Sequence, residues 1–204
     1  MKLSKALLAT SLALTGFCAQ AATYNLSGLN AGSLQNPGSF TATVFASAAD
    51  ANATLDFVLK GYLSLDGNNS YQDVLTLTVN GTQTQSGSFN LGGGGTSDTS
   101  FGDGTAVTVD QNGNNPGTGI GWHGGTTTVT GMHFNLLQGL NTFLFAYSAP
   151  GASNGRGQGL GDEGWGITSA TVTAVPEPET YAMLLAGLGM IGTIARRRSQ
   201  AKLA

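Results

Sequence analysis

The sequence predicts an all-β protein, an antiparallel β-sandwich or jelly roll, with a signal helix before it and a short membrane helix after it. Three observations carry this. Apolar residues alternate with polar ones in short runs through residues 22–175, the pattern of half-buried strands. Turn residues punctuate those runs, and no stretch of the body sustains helical periodicity. Of 204 residues, 32 are glycine, about twice the ordinary share of ~7%, and only 9% are charged against an ordinary ~25%. That composition excludes a coiled coil, a charged helical bundle and a charge-rich disordered chain. An apolar content of 40% still supplies one modest core.

At the amino terminus, Lys2 and Lys5 precede an apolar run over residues 6–17, and Ala19-Gln20-Ala21 follows. This basic, apolar and small-residue order predicts a secretory signal peptide over residues 1–21, cut before Ala22 by a signal peptidase. The single cysteine, Cys18, follows the bulky Phe17, whereas a lipidation signal wants a small residue there. The mature chain would then hold no cysteine, and disulfides could not staple it even in an oxidising compartment.

The body, residues 22–175, is expected to form nine strands, over residues 23–27, 39–46, 54–60, 74–80, 82–91, 106–110, 126–135, 141–148 and 166–174. Leu75, Leu77 and Val79 alternate with Thr76 and Thr78; Phe143, Phe145 and Tyr147 do the same around Leu144 and Ala146. Asn80-Gly81 between two such runs signals a tight hairpin, because the favoured two-residue turn needs positive φ. The glycines of residues 92–95 and 113–125 read as flexible inter-strand loops, since no lysine and helix follow them as in a phosphate-binding loop. No repeat of fixed period is present, which argues against a solenoid or propeller.

Charge narrows the function. The body carries nine acids, Asp50, Asp56, Asp66, Asp73, Asp98, Asp103, Asp110, Asp162 and Glu163, against Lys60 and Arg156, a net charge of −7. A phosphate backbone would be repelled, so nucleic acid is excluded as a partner. His123 and His133 lack the companions a zinc site needs. No G-x-S-x-G nucleophile turn occurs, and no catalytic residue is assigned.

The acids and amides allow a metal reading. Asp66, Asn68 and Asp73 concentrate hard oxygen donors in one loop, with Glu163 available from across the sheet, the donor type calcium takes. The runs Leu65-Asp66-Gly67-Asn68 and Asp162-Glu163-Gly164-Trp165 bear a loose resemblance to calcium-bearing jelly-roll modules, which implies calcium as a cofactor. Two readings stand beside it. The acids could simply solvate loops, or a pair such as Asp162-Glu163 could serve a glycosidase, which needs two carboxylates about 5–10 Å apart. Tyr71 and Trp122 offer faces to sugar rings, although large aromatics more commonly fill cores.

The tail, residues 176–204, holds Pro176-Glu177-Pro178, an uncharged run over residues 181–195 and then Arg196-Arg197-Arg198. Fifteen helical residues reach only ~22 Å against a ~30 Å hydrocarbon core, a marginal span that would need snorkelling or bilayer thinning. Acids at the start and arginines at the end suit the helix dipole and the positive-inside rule. Motif, span and basic stop, in that order, resemble the PEP-CTERM sorting signal of exopolysaccharide-producing Gram-negative bacteria. The resemblance implies recognition of Pro176, Glu177 and Pro178 by an exosortase, with Arg196, Arg197 and Arg198 as the basic stop. It further implies transient residence in the inner membrane and delivery to the cell surface or extracellular matrix. Three function classes fit the whole: a non-catalytic sandwich associated with exopolysaccharide or biofilm, a secreted polysaccharide-active enzyme using an acid pair, and a structural adhesin.

Overall fold

The computed structural model describes residues 21–111, 124–150, 163–174 and 178–200. Eleven strands are present among them: β1 (Ala22–Asn25), β2 (Leu34–Gln35), β3 (Gly38–Ala46), β4 (Asp50–Leu63), β5 (Val74–Val79), β6 (Gln83–Ser88), β7 (Asp98–Ser100), β8 (Ala106–Asp110), β9 (Gly125–Leu136), β10 (Gly139–Ser148) and β11 (Glu163–Ala174). One sheet runs β1-β11-β4-β9-β8, with β2 added on β11; the other runs β3-β10-β5-β6-β7. Strand pairing is antiparallel, and neighbours in space are largely not neighbours in sequence, so the two sheets form a sandwich of the jelly-roll kind. The expected fold class is what forms.

All nine expected strands are found. The two additional ones, β2 and β7, have two and three residues, too few to display alternation. β4 extends the expected 54–60 in both directions to fourteen residues, with register irregularities against β9 between Asp50 and Ala53 and between Leu55 and Phe57. The Asn80-Gly81 hairpin forms with the positive φ expected, 51° and 73°, but its loop has three residues, 80–82, rather than two, since β5 pairs to β6 from Val79↔Gln83 onward.

Alternation places one face of each sheet in a shared interior. Leu75, Leu77 and Val79 of β5, Phe143, Phe145 and Tyr147 of β10, Leu55, Phe57 and Leu59 of β4, and Trp165, Ile167 and Val172 of β11 are all buried there. Aromatic rings run through this core in contact: Phe101 on Phe57, Phe57 on Phe145, Phe145 on Phe40, Phe40 on Trp165 and Trp165 on Tyr147, at 5.2–5.9 Å between centroids. Such pairs add about 0.5–1.5 kcal/mol each beyond their burial. The core therefore carries a fold that no disulfide supports. Thr23–Ala174 is one unit.

The tail forms a separate helix, α1 (Pro178–Gln200). Its charges fall at its two ends, and Leu185, Met190, Ile191 and Ile194 are exposed along it. No helix among the described residues is long and apolar enough to cross a membrane. The physical reason is the one visible in the sequence, since the uncharged stretch covers only part of the helix. The signal peptide and Cys18 lie outside the described residues.

Candidate functional site

The site is built where chain segments from both sheets meet. β4 ends at Leu63 with φ of 64°, a left-handed conformation that an L side chain adopts at a cost, and the chain turns sharply into Ser64–Asp66. Asp73 lies at the foot of β5, where its N–H donates to the Asp66 carbonyl (3.0 Å) and Ser88 Oγ donates to the Asp73 carbonyl (2.7 Å). Glu163 opens β11, opposite Leu63. Between β2 and β3 the chain passes from one sheet to the other, and that crossing carries Asn36.

These segments bring Asp66, Asp73 and Glu163 together. All three are buried, and one carboxylate oxygen from each lies within 4.8 Å of the others. Asn36 is fully buried beside them, donating from Nδ2 to Asp73 Oδ1 (2.5 Å) and to Glu163 Oε2 (3.3 Å). The Asp66 N–H donates to the second oxygen of Asp73 (2.7 Å), and Asn69 Nδ2 donates to Asp66 Oδ1 (2.7 Å). Burial pushes the Asp73 carboxyl up to about 7, and the neighbouring Glu163 and Asp66 charges push the same way. The Asp66 N–H and the Asn36 amide oppose that rise without cancelling it. Burial, with the Asp73 charge, also raises the Tyr147 phenol well above its usual value.

The glycine run is part of this construction. It was expected to be a flexible loop, and it is instead a packed turn. Asn90 Oδ1 accepts from the N–H groups of Gly92 (3.3 Å) and Gly94 (3.1 Å), and the Gly67 N–H donates to the Gly94 carbonyl (2.8 Å). A Cβ on Gly93 would stand 2.6 Å from the Asp66 carboxylate, so only glycine lets the backbone lie against that side chain.

Three polar atoms near the cluster are buried with no hydrogen-bond partner among the described residues: Asn36 Oδ1, Tyr147 OH and Trp165 Nε1. Tyr147 and Trp165 pack together at 5.2 Å, and Trp165 stands two residues beyond Glu163 on the same strand. Buried polar groups are ordinarily satisfied, so orphans here point to missing ligand or water oxygens. Calcium takes six to eight oxygens at 2.3–2.6 Å, so two oxygens on one ion can stand up to about 5 Å apart. The trio meets that condition, and its hard, anionic donors match the ion chemically.

Of the residues expected at a calcium site, Asp66, Asp73 and Glu163 converge. Asn68 is exposed and pairs its backbone N–H with the Thr96 carbonyl (2.7 Å), outside the buried trio. Asn36 takes the amide position next to the acids. Tyr71 is 51% exposed, with its N–H held by Asn69 Oδ1 (2.6 Å). Trp122 and Asp162 lie outside the described residues, as do Pro176 and Glu177; Pro178 begins α1.

Residues 174–199 match a family model, the PEP-CTERM protein-sorting motif. The chain carries a PEP-CTERM tail. That motif implies an exported protein, processed by an exosortase and sorted to the cell surface, as the Pro-Glu-Pro, apolar and triple-arginine order led one to expect. No curated protein matches the chain. Two solved structures are similar to it. One is CBM35 from Cellvibrio japonicus Abf62, at 11% identity over 75% of this chain and 92% of that one, with a TM-score of 0.37. The other is Xyl-CBM35 in complex with a glucuronic acid containing disaccharide, at 14% identity over 76% and 88%, with a TM-score of 0.36.

Proposed function

We propose that this PEP-CTERM protein is a non-catalytic, calcium-ordered β-sandwich that works at the cell surface or in an exopolysaccharide or biofilm matrix. The observation that carries the proposal is the buried trio Asp66, Asp73 and Glu163 with the orphaned Asn36 Oδ1 beside it. An ion there would bind the β4–β5 turn, the foot of β5 and the start of β11 to one another, joining both sheets. Burial of all three carboxylates supports a binding rather than a hydrolytic role, because a glycosidase pair must reach the sugar that it flanks.

Maturation follows from the two ends of the chain. A signal peptidase cuts before Ala22, and the tail helix holds the protein briefly at the inner membrane, its arginines at the interface. The exosortase then processes it near Pro176-Glu177-Pro178. We assign contact with exopolysaccharide to Tyr71, and its exposed ring on the loop that also carries Asp66 supports that assignment.

The decisive measurement is thermal unfolding of the exported protein in EDTA and in millimolar-scale calcium, the range of weak extracellular sites. Binding to the native state alone adds about 2.7 kcal/mol at a hundredfold excess over Kd, and Asp66→Ala should abolish most of that gain. Terbium in place of calcium should luminesce on excitation of Trp165 and Tyr147, and should lose the signal in the same variant. Identical melting curves in calcium and EDTA would leave the acids as structural groups only.

A further inference from the structure

The strands β3, β10, β5 and β6 contain no Asp, Glu, Lys or Arg on either face, in a body of net charge −7. They are consecutive in one sheet, in the order β3-β10-β5-β6. The acids of the described body lie elsewhere: Asp50, Asp56 and Asp110 on strands of the other sheet, the buried trio at its own site, Asp98 in β7 beyond β6, and Asp103 in the turn between β7 and β8. The side turned away from the core carries rows of hydroxyls and apolar groups. Thr41, Leu144, Thr78 and Thr84 make one row across the four strands, and Phe45 stands directly opposite Leu140 in another. Phe45 is 72% exposed and Leu140 63%, so two large apolar side chains share one corner of an uncharged face, and Leu144, four residues along β10 on the same face, is 39% exposed.

We propose that this face is a homodimer interface, with a second copy of the chain as its occupant. The charge distribution selects that partner. Two acidic bodies repel wherever their acids meet, and this sheet face is where two copies can approach without burying a charge or setting like charges together. A two-fold contact is self-complementary, so each copy supplies the same apolar corner and the same threonine rows. Four strands ~4.8 Å apart, averaging about eight residues at ~3.4 Å, cover about 500 Å² in plan. Side-chain relief raises that area toward the ~600 Å² per partner at which stable interfaces begin. An extended polysaccharide is the poorer match, because saccharide platforms use several exposed aromatic rings and this face has one.

Sedimentation of the exported wild-type protein across concentration tests the proposal, alongside Leu140→Asp and Phe45→Ser. Both positions are exposed, so the fold should persist, and an unchanged circular-dichroism spectrum checks that it does. The expected result is a reversible dimer in the wild type, weakened at least ~30-fold by either substitution, the effect of losing an apolar anchor. Thr108→Asp, on exposed β8 of the other sheet, should leave the dimer intact and serves as the control. A wild type that stays monomeric at high micromolar concentration overturns the proposal. So does a dimer that survives both corner variants, or a monomer that loads onto soluble exopolysaccharide through Leu140 and Phe45. Because calcium is not part of this contact, Asp66→Ala should dimerise as the wild type does, which separates this outcome from that of the metal site.

Discussion

Asp73 is fully buried between two other carboxylates, and its position makes it the proton-holding group of the site. In the unfolded chain it titrates near 3.8, while in the fold it is pushed up to about 7. Between those values the native state holds a proton that the unfolded state has released, so stability falls as pH rises through that window. The contribution is complete below about 3.8 and gone above about 7. Calcium acts in the opposite sense, because it binds the carboxylate and displaces the proton. In EDTA, the melting temperature of the wild type relative to Asp73→Asn should therefore decline from pH 4 to pH 7.5. Excess calcium should restore the wild type at the upper end. A difference that instead stays flat across this range in EDTA would show that Asp73 is ionised throughout.

At the scale of elements, the β5–β6 hairpin isolates a purely conformational effect. Asn80 and Gly81 both take positive φ, and a Cβ built on Gly81 meets nothing within 4 Å. Gly81→Ala should thus destabilise by about 1 kcal/mol through backbone preference alone, measurable by urea unfolding. This turn was legible because one dipeptide encodes it, and the long strands were legible because alternation repeats within each. β2 and β7 were not, since two or three residues show no period. The glycines at 92–95 were misread for a related reason: a glycine run looks the same whether it is free or pressed against Asp66. The acids of the site were readable as hard oxygen donors. Asn36 was not, because it lies 37 residues from Asp73 and 127 from Glu163, and only the sheet crossing unites them.

For the whole molecule, instructions for destination and instructions for folding occupy different stretches of chain. The sorting motif covers residues 174–199, while the sandwich has its own core within Thr23–Ala174. The surface-delivered form should accordingly lack Arg196–Arg198 and keep its fold, and intact-mass analysis of matrix-released protein reads the first point directly. The second point is tested with residues 22–175 alone. Every residue of the aromatic chain from Phe101 to Tyr147, and every member of the acid cluster, lies inside those bounds. The isolated body should be soluble, give a sheet-rich circular-dichroism spectrum and melt in one cooperative step, as small single domains do. A strongly helical spectrum, or a broad non-cooperative melt in the presence of calcium, would mean that the tail contributes to folding as well as to delivery.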